Sequence, residues 1–139
     1  MQRTKKLAEK ANGASKEYCV FEYLYRDASN YKAWGKILLS GVPSQDDIAA
    51  LRARLDSDTY FVAEQVGVPS VYKELWNLSG GRTSDDHALH EFLTLREATD
   101  DEIKSERIFG ELTMLLKTFQ AVIKWDSSLS PNFDAGFWP

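Results

Sequence analysis

The sequence predicts an α+β domain: a mixed sheet of about four strands with helices packed on it and an aromatic C-terminal tail. Three observations carry this. Aromatic and β-branched residues concentrate in short runs at 18–25, 31–40, 59–63 and 92–97, as buried and half-buried strands require. Two N-cap patterns, Ser44 before Asp46 and Asp47 and Thr99 before Asp100, Asp101 and Glu102, open stretches whose apolar residues recur every three or four positions. The resulting order, ββαβαβα, begins with two consecutive strands and lacks a Gly-rich phosphate turn after any strand. Neither Gly67 nor Gly80-Gly81 fits such a turn, which disfavours a doubly wound nucleotide fold.

Each element follows from local chemistry. In 18–25, Cys19, Phe21, Tyr23 and Tyr25 alternate with Tyr18, Val20, Glu22 and Leu24, so both faces are apolar except at Glu22. That pattern predicts an interior strand in which Glu22 has a partner or lies at a gap in the cover. The turn formers Arg26-Asp27-Ala28-Ser29-Asn30 lead into a hairpin partner over 31–40, where Gly35 marks a bulge. Ile48, Leu51 and Leu55 give the first helix its apolar face, and Thr59 to Ala63 form a third strand ended by Gly67 and Pro69. Val71, Leu75 and Leu78 predict a short helix stopped at Ser79-Gly80-Gly81. After the strand at 92–97, the spacing of Ile108, Leu112, Leu115, Leu116, Phe119, Val122 and Ile123 predicts one long core helix over 105–124. From Trp125 to Pro139 the rings of Trp125, Phe133, Phe137 and Trp138 stand among breakers without a period.

Length and charge narrow the function. The 139 residues are 43% apolar and 27% charged, enough for one core but too few for two independent ones, and no apolar run is long enough to span a membrane. The single Cys19 cannot form an internal disulfide, which fits a cytoplasmic location. Residues 1–16 carry five cations against one anion and read as a mobile basic arm, whereas residues 17–139, the α+β domain, carry twelve against twenty. An acidic body is repelled by phosphate backbones, so nucleic acid is a disfavoured partner, and no cofactor motif is present.

Two polar constellations are candidate sites. Asp85-Asp86-His87-Ala88-Leu89-His90-Glu91 contains both histidines of the chain. If a helical turn put His87 and His90 on one face, they and Asp86 could ligate a divalent ion, with Glu91, Asp27 and Glu64 as further carboxylates. The alternative is a polar turn in which Asp85 or Asp86 accepts backbone N–H groups. The second constellation, Arg26, Asp27 and Tyr31, reads as a binding lip at the end of a buried strand, or as a local salt bridge with side-chain capping. Trp125, Phe133, Phe137 and Trp138 are candidate contact residues, for the chain's own core or for a partner.

Two function classes remain. One is a non-catalytic acidic module that binds another protein, as an inhibitor or accessory subunit, without cofactor or metal. The other is a small metal-dependent hydrolase built on Asp86, His87, His90 and Glu91. The disposition of the two imidazoles separates them, and oligomeric state is left open by the sequence.

Overall fold

The structure, a computed structural model, describes residues 17–133. Strand β1 (Tyr18–Arg26) pairs antiparallel with β2 (Lys32–Ser40) in unbroken register from Tyr18 opposite Ser40 to Arg26 opposite Lys32. The next two strands in the chain are β3 (Tyr60–Phe61) and β4 (His90–Glu97), and β4 covers the other edge of β1, antiparallel, with β3 outside it. A fifth strand, β5 (Ile108–Glu111), pairs parallel to β2, so the sheet is mixed, with order β3-β4-β1-β2-β5.

The expected sheet of about four strands is therefore one of five. The extra strand comes from the stretch read as a single helix over 105–124. Past Ser105 only Leu112–Gln120 is helical there (α5), and Ile108–Glu111 instead meets the backbone edge that β2 leaves open. Gly110 weakens a helix at this point, while Ile108 and Phe109 suit a pleated surface. Among the described residues the helices are α1 (Gln45–Arg54), the single turn α2 (Ala63–Val66), α3 (Lys73–Ser79), α4 (Asp100–Ser105) and α5, so the order is ββαβααβαβα rather than ββαβαβα. The third strand is shorter than expected because its apolar run passes directly into α2, which Gly67 ends in the left-handed conformation at φ 72°.

Both N-caps form reciprocal boxes. Asp47 N donates to Ser44 Oγ at 3.0 Å and Ser44 N to Asp47 Oδ2 at 2.9 Å, and Thr99 pairs with Glu102 in the same way. α1 lays Leu51 and Leu55, and α5 lays Leu112, Leu115 and Phe119, against Phe21, Tyr23, Ile37 and Leu39 on one face of the sheet. Cys19 belongs to this layer, fully buried, and burial pushes its thiol up to about 12. On the other face Ile103 of α4 covers Tyr18, Val20 and Leu38. Beyond that cover lies Glu22, which accepts from Thr94 Oγ1 at 2.9 Å and from Arg96 Nε and Nη2 at 3.1 Å each. Arg96 also donates to both oxygens of Glu102, at 2.8 and 2.7 Å, so one guanidinium ties the capping residue of α4 to the centre of the sheet.

The bulge expected at Gly35 is absent from β2. One register break falls between β2 and β5, where Leu38 opposes Ile108 and Leu39 opposes Gly110, and another between β1 and β4, where Glu22 opposes Thr94 and Tyr23 opposes Phe92, leaving Leu93 as the extra residue. This is why Phe92 and Leu95, three apart, both join the same core layer when strict alternation would separate them. Gly35 has a different role. The ring of Tyr23 passes so close that a Cβ on Gly35 would lie 2.6 Å from Tyr23 Cζ.

Candidate functional site

At the end of β1 the chain turns through Asp27, whose Oδ1 accepts from Ser29 N at 3.0 Å and from Tyr31 N at 2.9 Å, while Asn30 takes a left-handed φ of 71°. The loop before β4 is stitched onto this turn. Ala28 N donates to Asp85 O at 3.0 Å, and Ser29 Oγ donates to Asp85 Oδ2 at 2.6 Å. Beneath them Tyr25 OH donates to Asp86 Oδ1 at 2.7 Å, and Thr83 N donates to Asp86 Oδ2 at 2.9 Å. The Tyr25 hydroxyl in turn accepts from His87 N at 3.0 Å. Burial, reinforced by the Asp86 carboxylate, raises the pKa of Tyr25 well above the usual phenol range and keeps it a neutral donor.

The two histidines serve different elements. His87 Nε2 lies 2.7 Å from Arg26 O, a carbonyl that can only accept, so Nε2 carries the proton, and Nδ1 accepts from Leu89 N at 3.1 Å. Burial lowers its pKa, and the neutral ring is fully engaged by backbone. His90 is completely buried among Tyr25, Phe61 and Tyr72, and its Nε2 accepts from Val71 N at 3.1 Å. Burial pushes it down to about 3, and among the described residues Nδ1 has no hydrogen-bond partner. The helical turn that would bring both rings to one ion is not formed: residues 82–89 are loop and His90 already belongs to β4. Among the described residues no group of three His, Cys, Asp or Glu side chains is placed to hold a metal ion.

The other candidate residues divide. Glu91 is held by Arg26, with Nε to Oε2 at 2.9 Å. Glu64, on α2, accepts from Tyr72 OH and reaches this region only through that ring, which packs 5.5 Å from Tyr25. Trp125 lies against Phe119 and donates from Nε1 to Arg54 O at 2.9 Å, on the chain's own core. Phe133 is largely exposed, and Phe137 and Trp138, like the basic arm, lie outside the described residues.

What the fold does bring together is Asp27 with Asp85 and Asp86. They line one side of a cleft of about 350 Å³, whose other walls are Tyr31, Thr83 and the α3 residues Leu75 and Leu78. Sequence reasoning missed this wall, because it used Leu75 and Leu78 only as helical spacing; in the structure no residue of α3 is fully buried and Leu78 is 84% exposed. Apolar spacing at the end of a short helix gave no sign of which side would stay open. The cleft thus offers carboxylates beside apolar surface, an arrangement suited to a cation on an aliphatic stem. No protein-family model, curated protein or solved structure matches this chain.

Proposed function

We propose that this protein is a cytoplasmic protein-binding module, an inhibitor or accessory subunit, which receives a Lys or Arg side chain of its partner in the cleft between the β1–β2 turn and α3. The observation that carries this reading is the pairing of the half-buried Asp27 and Asp85, with the buried Asp86 behind them, and Leu75, Leu78 and Tyr31 around one opening. The stem of a basic side chain would lie along the leucines, its head would meet the carboxylates, and the largely exposed Tyr31 ring offers a cation–π face. The acidity of residues 17–139 would steer a basic partner toward it. The rigid stitching of the turn to the loop at 83–87 favours recognition over catalysis, since both imidazoles are occupied as structural acceptors or donors.

The test is calorimetric titration of the whole chain with two short peptides, identical except that one carries Arg and the other Glu at its centre. The Arg peptide should bind, with affinity falling as salt rises, and Asp27→Asn with Asp85→Asn should weaken it by roughly tenfold or more. Equal behaviour of the two peptides would overturn the proposal.

A further inference from the structure

We infer that the outer side of α5 is a second docking surface, of opposite charge, for an acidic amphipathic helix of a partner protein. It stands independently of the cleft at Asp27. Two depressions run along this side: one of about 640 Å³ lined by Met114, Lys117, Thr118, Ile123 and Lys124, and one of about 140 Å³ beside β5 that includes Phe109. Met114 and Thr118 line both, so the two lie side by side along this face.

This face carries apolar side chains that the core does not require. α5 already satisfies the interior with Leu112, Leu115 and Phe119, yet Ile123 is 96% exposed, Met114 55% and Phe109 46%. Single exposed apolar residues are ordinary, but several along one face mark a contact surface. Its charge selects the occupant. Lys117 and Lys124 stand among these apolar residues, and Arg54 is beside them, donating to Gln120 Oε1 at 3.2 Å and to Val122 O at 3.1 Å. Among the described residues none of these three cations has a carboxylate within ion-pair distance. Among the described residues Glu111, at the β5 end, is the one acid lining these depressions, while Asp126, whose carboxyl is stabilised by Ser128 and by Lys124, bonds to Ser128. A cationic face on a chain of net charge −4 is complementary to a segment with acidic flanks. This face follows a helix rather than a strand edge over most of its length, which suits an amphipathic helix laid against it.

The probe is a synthetic amphipathic peptide with Leu on one face and Glu on the other, compared with its Lys counterpart and a scrambled Glu control, titrated into the full chain by amide NMR and calorimetry. The Glu peptide should bind and shift the amides of Met114, Lys117 and Ile123. Ile123→Asp should weaken it about tenfold or more, and Lys117→Glu with Lys124→Glu should transfer preference to the Lys peptide. All three positions are exposed, so an unchanged melting temperature separates lost binding from lost fold, and Asp27→Asn should leave this binding intact. No binding, or equal binding of the Lys or scrambled peptide, would overturn the inference. So would recruitment to phosphatidylserine vesicles without peptide binding, which assigns the surface to a membrane, or self-association abolished by Ile123→Asp, which assigns it to a second copy.

Discussion

The ring of Tyr23 occupies the space in which any side chain at Gly35 would begin. The two residues are register partners on β1 and β2, and Tyr23 OH donates to Pro69 O at 2.6 Å. Gly35 is thus required by a close approach and not by backbone dihedrals.

Replacing Gly35 by Ala should therefore destabilise the chain by about 1 to 3 kcal/mol through overpacking, despite the better strand propensity of Ala. Gly110→Ala, in β5, is the control: no atom would lie within 4 Å of the new Cβ, and its effect should stay within about 0.5 kcal/mol. Urea titration of both variants checks the pair, and equal losses would remove the Tyr23 contact as the cause.

Truncation along α5 should be unequal. Leu112 is buried and also touches the position of Gly41, so Leu112→Ala should cost about 2 to 5 kcal/mol. Leu116, only partly buried at the edge of the same cluster, should cost less than half as much. Denaturation midpoints of the two variants check the difference, and equal losses would show that Leu116 is as deeply packed as Leu112.

Acid should weaken the fold before its carboxylates titrate. His90 takes up a proton near 6.5 when unfolded but only near 3 when buried. Its contribution is complete above about pH 6.5 and is lost as pH falls toward 3, at up to about 1.4 kcal/mol per pH unit for each proton taken up by the unfolded chain. His87 is shifted in the same direction. Glu102, held low chiefly by Arg96, adds its own loss only below its ordinary value of 4.5. Between pH 6.5 and 4.5 the slope therefore belongs to the histidines, and His90→Gln should flatten it. An unchanged slope in denaturant titrations across that range would assign the acid sensitivity elsewhere.

The parts of the fold legible in the sequence are those whose causes are local. Ser44 and Thr99 announce helix starts because a capping box is closed within four residues, and the aromatic run at 18–25 announces a buried strand because both its faces are written into it. Ile108 reads as helical in the sequence for a physical reason: helical spacing and strand preference coincide there, and the deciding factor is the open edge of β2, some seventy residues away. The register break at Leu93 likewise depends on what β1 demands of its neighbour. Of the candidate site, the polar clusters around Asp27 and around Asp85 and Asp86 were visible, but their meeting was not. It is made by Ala28, Ser29 and Tyr25 reaching across from a distant part of the chain.

The central place of β1 has a further meaning for the order in which the chain can assemble. This strand is synthesised first among the five, and β2 can cover one of its edges at once. Its other edge waits for β4, about seventy residues later. At translation speeds of about 5 to 20 residues per second, that edge stays unpaired for roughly 4 to 14 seconds, with the rings of Phe21, Tyr23 and Tyr25 unshielded beside it. The nascent hairpin is then an adhesive surface, and the ribosome-bound interval before β4 emerges is when this protein is most exposed to mispairing and to capture by chaperones.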